Sequence, residues 1–90
     1  MVNVVIFMGV IVKDDPDDKL VRYVEVVEEY RNISGQIVRD IIPVINWNKT
    51  NKGNLFSFPV GSLVMIKGHL ENYLDKFIVV CENINYLGKN

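Results

Sequence analysis

The sequence consists mainly of short runs of β-branched, aliphatic and aromatic residues, separated by segments rich in Asp, Asn, Gly and Pro. Such runs are typical of β-strands, whereas the apolar repeat of an amphipathic helix is hard to find here. Five runs occur, and they are residues 4–13, 19–31, 36–47, 62–71 and 76–86. The pattern therefore predicts an all-β protein of five strands.

The chain has 90 residues, of which 49% are hydrophobic and 23% are charged. This is the size of one small domain, which we assign to residues 1–90, and the hydrophobic fraction is sufficient for a packed core. A domain this small buries a modest share of its surface, so we expect it to associate with further copies.

The first run, from Val4 to Lys13, is almost continuously apolar, as in a strand that is covered on both faces or contributes to a subunit contact. It ends at the segment 14–18, in which four aspartates surround Pro16. Because proline lacks a backbone N–H and the like charges need water, this segment is predicted to be a solvated loop.

Turn residues join the later runs into hairpins. Asn32-Ile33-Ser34-Gly35 connects the second run to the third, and Gly35 adopts a positive φ at little steric cost. Residues 72–75 connect the fourth run to the fifth. Pro43 indicates an edge position or a bulge in the third run.

Between the third and fourth runs, a polar stretch (48–54) precedes Leu55-Phe56-Ser57-Phe58, and together they hold at most a short helix. Five strands with a helix-sized insertion at this point follow the order of an OB-fold, a five-stranded Greek-key barrel. Closure into a barrel also protects the edges of so small a sheet.

Four segments carry a more specific pattern, and they are residues 3–14 (NVVIFMGVIVKD), 41–49 (IIPVINWNK), 61–70 (GSLVMIKGHL) and 82–88 (ENINYLG). In this order and spacing they resemble the bacterial single-stranded DNA-binding protein family of the OB-fold class, reduced to its core domain. The resemblance extends from residue 3 to residue 88.

The chain departs from this family in three places. Asn51, Gly53 and Asn54 are poor helix formers, so the helix that usually follows the tryptophan is expected to be short or distorted. Only a few residues join the fourth and fifth strands, where the family often has a long DNA-binding loop. No acidic tip follows Asn90, so we do not expect the recruitment of repair and replication proteins that this tip performs in the family.

The resemblance implies sequence-independent binding of single-stranded DNA in replication, recombination or repair. Aromatic rings stack on bases while lysine and arginine contact phosphates. The resemblance assigns stacking to Trp47, which Asn46 and Asn48 flank, and an aromatic-basic pair to Tyr30 and Arg31. The further candidates are Lys49, just past Trp47, Arg39, which has the same parity as Trp47, and Tyr73 and Lys76 at the second hairpin.

Structural roles are the alternative for several of these residues. Trp47 would pack at the barrel rim, Tyr73 would pack within its hairpin, and Lys76 would be a solvated charge. The neighbouring Phe77 is assigned to the core rather than to the binding surface.

The formal net charge of −1 and the pI of about 5.7 do not by themselves favour nucleic-acid binding, which usually needs a basic surface. Binding must therefore depend on where the charges lie. The acidic loop is compatible with it if that loop lies far from the binding face. Glu25, Glu28 and Glu29, close to Tyr30, are expected to repel phosphate and to make binding weaker or more salt-sensitive.

Two other functions stay open. The chain also fits a primosomal accessory OB protein, or a protein-interaction module in which Trp47 and Tyr30 anchor a partner polypeptide. An enzyme is the poorest fit, because His69 and Cys81 are the single histidine and cysteine and no glycine-rich phosphate loop is present. We expect no cofactor, small-molecule substrate or metal; the acidic loop lacks the spacing of a calcium loop.

The lone cysteine excludes an intramolecular disulfide, and neither a signal peptide nor a membrane-spanning segment is recognisable. We therefore expect a cytoplasmic protein. The resemblance implies that the first strand mediates assembly into a homodimer or homotetramer.

Overall fold

The computed structural model of the protein describes residues 3–89. Within this range seven strands form, and they are β1 (Val5–Asp14), β2 (Val21–Val26), β3 (Tyr30–Arg31), β4 (Ile37–Val38), β5 (Ile41–Asn46), β6 (Ser62–Tyr73) and β7 (Lys76–Lys89). A single 3-10 turn, Gly53–Phe56, lies between β5 and β6. No helix in the described part of the chain is long and apolar enough to cross a membrane.

Five strands close into a barrel in the order β1, β2, β5, β7, β6, with β6 returning to β1. Neighbours are antiparallel except β5 and β7, which run parallel. Pro43 pairs with Tyr23 of β2 in the part of β5 that precedes its pairing with β7, where no ladder hydrogen bond is required of it. The predicted five-stranded barrel with a short helical insertion is confirmed.

The second and third predicted runs each divide into two strands. β3 and β4 pair only with each other, Tyr30 opposite Val38 and Arg31 opposite Ile37, and they form a separate two-stranded sheet. Gly35, with φ of 82°, forms part of the predicted turn between them. We call this hairpin, residues 30–38, the arm.

Alternating residues of the barrel strands fill its interior. The fully buried cluster consists of Ile11, Val24, Val44, Leu55, Val64, Ile66, Val79 and Cys81. Leu55 belongs to the 3-10 turn, which therefore closes one end of the barrel. Phe56 and Phe58 pack partly buried against the same cluster.

Two glycines of the segments quoted above allow close contact between strands. A Cβ atom at Gly9 would lie 2.5 Å from Val24 Cγ1 and 2.6 Å from the Glu25 carbonyl oxygen. A Cβ atom at Gly68, where the register of β6 and β7 shifts, would overlap the Val80 carbonyl oxygen. Neither position accepts a side chain without displacing the neighbouring strand.

β6 and β7 extend beyond the barrel as a hairpin that ends at Leu74 and Asp75. A second apolar cluster lies on the opposite face of the sheet, and Tyr73 packs on it; its members are Val21, Ile45, Ile78 and Val80. Phe77, in contrast, is 72% exposed, so its assignment to the core is wrong. Pairing of β7 with β5 begins only at Val79, and no barrel strand reaches far enough to cover Phe77.

Candidate nucleic-acid interface

Trp47 lies directly after β5 and is 63% exposed. Its backbone N–H donates to the carbonyl oxygen of Cys81 on β7, at 3.0 Å, which fixes the main chain at the rim of the barrel. The indole ring is therefore held on a rigid strand end while most of its surface is open to solvent. This is the geometry that base stacking needs.

The buried side chain of Asn46 organises the loop that follows Trp47. Its Nδ2 donates to the Asn48 carbonyl oxygen at 3.2 Å and to Asn51 Oδ1 at 3.0 Å. Gly53, with φ of 54°, packs so closely on Asn46 that a Cβ atom there would lie 2.5 Å from Nδ2. Asn46 thus positions the loop instead of facing solvent beside Trp47.

A cavity of about 320 Å³ adjoins Trp47. Its walls are rich in side-chain amides; we call it the Trp47 cavity, and it is lined by Asn46, Trp47, Asn48, Asn51, Gly53, Asn54, Leu55, Cys81, Glu82, Asn83 and Ile84. Amide groups both donate and accept hydrogen bonds, as do the edges of bases. Residues 48–54 were expected to be only a polar stretch that is poor in helix; the repetition of asparagine in this segment is the sequence signal for an amide-lined cavity.

Lys49 does not stand free beside Trp47. Its Nζ lies 3.1 Å from Glu71 Oε1 on β6. Glu71 Oε2 lies 2.5 Å from His69 Nε2, and His69 Nδ1 lies 2.6 Å from Glu82 Oε2 on β7. We call Lys49, His69, Glu71 and Glu82 the His69 cluster. No local sequence pattern indicates it, because its members come from three separate segments of the chain.

The hydrogen bonds within the cluster shift two pKa values. The pKa of His69 is raised, first by its bond to Glu71 and then by its bond to Glu82. The pKa of Glu71 is lowered, first by His69 and then by Lys49. Both shifts favour the charged forms of the two groups.

Tyr30 and Arg31 lie on the arm, and both are exposed. The Tyr30 hydroxyl donates to Asp40 Oδ1 at 2.9 Å, and this bond raises the pKa of Tyr30. Arg31 Nη1 donates to the Gly35 carbonyl oxygen at 2.5 Å. Both side chains therefore stay on the surface of the arm, although neither is free of local contacts.

Arg39 follows the arm and is paired with acidic residues. Its Nη2 lies 3.1 Å from Glu29 Oε1, and its Nη1 lies 3.9 Å from Glu25 Oε1. Two of the three glutamates that were expected to repel phosphate are thus partly neutralised by Arg39. The same pairs reduce the charge that Arg39 itself offers to a phosphate.

Tyr73 and Lys76 line a second cavity, of about 400 Å³, between residues 15–20 and the end of the β6–β7 hairpin. We call it the acidic cleft, because Asp15, Asp17 and Asp18 also line it. The Tyr73 hydroxyl donates to Asp18 Oδ2 at 2.8 Å. The acidic loop therefore lies directly beside two of the candidate binding residues.

The seven candidate residues form three groups. Trp47 and Lys49 lie at one end of β5, while Tyr30, Arg31 and Arg39 lie on or beside the arm at its other end. Tyr73 and Lys76 form the third group at the acidic cleft. The six residues of β5 lie between the first two groups, a length of roughly 20 Å along the strand.

Cys81 is a buried free cysteine. Burial raises the pKa of the Cys81 thiol to about 11, which keeps it protonated and unreactive. Among residues 3–89, no group of three or more His, Cys, Asp or Glu side chains is arranged to hold a metal ion.

Solved structures similar to this chain include the mitochondrial single-stranded DNA-binding protein Rim1 of S. cerevisiae, with a TM-score of 0.66, 18% identity and coverage of 100% of both chains. The small single-stranded DNA-binding protein of Streptomyces coelicolor gives a TM-score of 0.65 at 13% identity, covering 96% of this chain and 94% of that one. The chain has an OB fold. PriB of Ralstonia solanacearum gives a TM-score of 0.60 at 13% identity, covering 97% and 100%. No protein-family model matches the sequence, and no curated protein matches it.

The three groups of candidate binding residues can be placed relative to the strands and loops of the OB fold. β2 and β5 are its second and third strands, and oligonucleotides generally bind OB folds across this face and the loops after the first and fourth strands. In this chain those two loops border the acidic cleft. Trp47 and the arm lie at the two ends of the third strand.

Proposed function

We propose that this protein binds single-stranded DNA without sequence preference, in replication, recombination or repair. The observation that carries the proposal is an exposed tryptophan held on a rigid strand end of an OB barrel, beside an amide-lined cavity. The similarity to two proteins described as single-stranded DNA-binding supports it.

In the proposed complex one base stacks on the Trp47 ring, and its edge exchanges hydrogen bonds with the asparagines of the Trp47 cavity. Stacking of this kind contributes about 1–3 kcal/mol per base and tolerates any sequence, because every base has a π-face. Lys49 leaves Glu71 to contact a phosphate. Tyr30, Arg31 and Arg39 extend the path toward the arm.

Tyr73 and Lys76 contribute least in this proposal. The Tyr73 hydroxyl is bonded to Asp18, and its ring packs on the second apolar cluster. Lys76 shares the acidic cleft with three carboxylates, which outweigh its charge and repel phosphate. The strand is therefore held mainly at Trp47 and at the arm.

The proposal is tested by titrating a fluorescently labelled oligo-dT at low salt and following its anisotropy. Trp47→Ala is expected to weaken binding by about 5- to 150-fold, since a stacked base is lost. Because Trp47 is the only tryptophan, quenching of intrinsic fluorescence in the unmodified protein reports on the same ring.

Phe77→Ala is the matched control, because Phe77 is another exposed aromatic residue but lies at the acidic cleft. It is expected to leave the affinity close to that of the unmodified protein. If Phe77→Ala lost binding while Trp47→Ala kept its affinity, the binding site would lie at the acidic cleft and not at Trp47. No binding at tens of micromolar would contradict the proposal and favour a protein-interaction module.

A primosomal accessory role is the second candidate, and the similarity to PriB of Ralstonia solanacearum favours it. Both candidates share the binding surface described above. Titration with a forked DNA distinguishes them: a clear preference for the fork over oligo-dT of equal length would favour the primosomal role.

We further propose that the protein assembles through β1. Pairing of β1 with β2 begins at Gly9, so one edge of residues 5–7 has no strand partner within the described chain. Ile6 is 62% exposed on the outer face, and Met8 and Met65 lie exposed beside it as a directly paired couple. A second β1 aligned along this edge would use the open backbone groups and cover the apolar side chains.

A further inference from the structure

His69 is held between two carboxylates that approach opposite nitrogens of its ring. Nε2 lies 2.5 Å from Glu71 Oε2, and Nδ1 lies 2.6 Å from Glu82 Oε2. Neutral imidazole has one N–H and donates to only one of these oxygens, whereas imidazolium donates to both. With both carboxylates ionised, the double contact is therefore satisfied only by protonated His69.

The His69 cluster adjoins the proposed binding surface on two sides. Glu71 holds Lys49, two residues beyond Trp47. Glu82 lines the Trp47 cavity and directly follows Cys81, whose carbonyl oxygen accepts the Trp47 N–H. A change in the charge of His69 thus acts on groups that a bound phosphate would meet.

We propose that His69 is a positioning residue that makes single-strand binding depend on pH, by holding Glu71 and Glu82 when protonated and releasing one of them when neutral. This inference rests on the proposed function. When His69 is protonated, the positive charges of His69 and Lys49 balance the negative charges of the two glutamates in the cluster. With His69 neutral, the cluster is left with one unbalanced negative charge beside Trp47, and phosphate is repelled.

Among residues 3–89, the surroundings of His69 offer no other group that would take over this role. On its own strand the neighbouring charges are Glu71 and the exposed Lys67, on β7 the facing charge is Glu82, and the loop after β5 supplies Lys49. On the β1 side lies Asn3, whose side-chain amide bonds to the backbone of Leu70. Asn3 carries no charge and does not titrate.

The pH range of the effect follows from the same contacts. Both carboxylates raise the pKa of His69 above its ordinary value, which places its loss of charge toward or into the physiological range. His69 is the only histidine of the chain, and the pKa of Cys81 is about 11. Between about pH 6 and about pH 8.5 His69 is therefore the main side chain that titrates, while the α-amino group, which also titrates in this range, is shared by the His69→Gln variant.

The test is the affinity for labelled oligo-dT at low salt, measured from about pH 6 to about pH 8.5. The dissociation constant of the unmodified protein is expected to rise about two- to fivefold over this range, the effect of one surface charge. His69→Gln keeps a hydrogen-bonding side chain but does not titrate, so its dissociation constant is expected to stay constant.

Two further variants separate this mechanism from a general charge effect. Glu82→Gln is expected to bind at high pH nearly as well as the unmodified protein binds at low pH. Asp17→Asn removes the same charge from the acidic loop and is expected to retain the full pH dependence. The comparison of these two variants also covers the case in which His69→Gln does not fold.

The outcomes distinguish the inference from the function on which it rests. Equal pH profiles in the unmodified protein and His69→Gln would overturn the inference alone, as would an unshifted pKa for the His69 ring in an NMR titration. No binding at any pH would overturn the proposed function, and the inference with it. By linkage, bound oligo-dT is expected to raise the pKa of His69 further.

Discussion

Arg22 is a buried charged residue that holds one end of the barrel closed. Its side chain is 4% exposed, and its Nε donates to Asp14 Oδ1 at 2.6 Å. Its Nη1 donates to the carbonyl oxygens of Leu55, at 3.1 Å, and Phe58, at 2.5 Å. The guanidinium therefore joins β1, β2 and the 3-10 turn, and it belongs to the framework of the protein and not to the binding surface.

Arg22→Met is expected to lower the free energy of unfolding by about 2–4 kcal/mol. The substitution keeps the length of the side chain but leaves two carbonyl oxygens and one carboxylate without their donor. Urea denaturation followed by circular dichroism measures the change. Arg31→Met, on the exposed arm, is the control and should alter stability by less than about 0.5 kcal/mol. Equal midpoints for the two variants would show that Arg22 does not hold the barrel end.

At the scale of elements, the β6–β7 hairpin combines a long ladder with an unfavourable turn. Leu74 and Asp75 form its two-residue connection and have φ of 50° and 65°. Two-residue turns of this hand favour Asn-Gly, because positive φ strains a residue with a bulky side chain. Leu74 is also exposed, so its side chain gains little from packing in return.

Replacing the turn by Leu74→Asn with Asp75→Gly is expected to stabilise the protein by about 1 kcal/mol. The reason is the relief of left-handed strain at Leu74, which is of the order of 1–2 kcal/mol for a non-glycine residue. Thermal and urea denaturation measure the gain. The control carries alanine at both positions, which removes the same side chains without relieving the strain. A gain of equal size in the control would refute this explanation.

At the scale of the whole molecule, the proposed assembly through β1 would bring the binding surfaces of two or more copies of the protein together. The exposed apolar side chains are not confined to β1, because Ile33 at the tip of the arm is also fully exposed. What distinguishes β1 is the open strand edge beside Ile6. An interface there needs both the edge and the apolar face.

Ile6→Glu is expected to convert the oligomer to monomer in sedimentation experiments, raising the dissociation constant at least about tenfold, because an unpaired carboxylate would be buried. Ile33→Glu introduces the same change on the arm and should leave the assembly intact. A monomeric unmodified protein at high concentration would contradict the proposed interface.

The sequence by itself determined the β content, the number of barrel strands, the turn at Gly35 and the short helical insertion. These features follow from local rules, since side-chain alternation and turn preferences act over a few residues. The sequence also indicated Trp47 as a binding candidate, and the fold leaves its ring exposed.

Only the tertiary structure decided where strands leave the barrel and which charges meet. Residues 27–29 and 39–40 interrupt apolar runs that local preference alone would continue, because there the chain leaves the barrel to form the arm. Phe77 is a residue type that is common in protein cores, but it lies before the point at which β7 begins to pair with β5, so no strand of the described chain covers it there. Lys49, His69 and Glu82 come together because β5, β7 and β6 are neighbours in the closed sheet, and such contacts depend on strand order rather than on any local pattern.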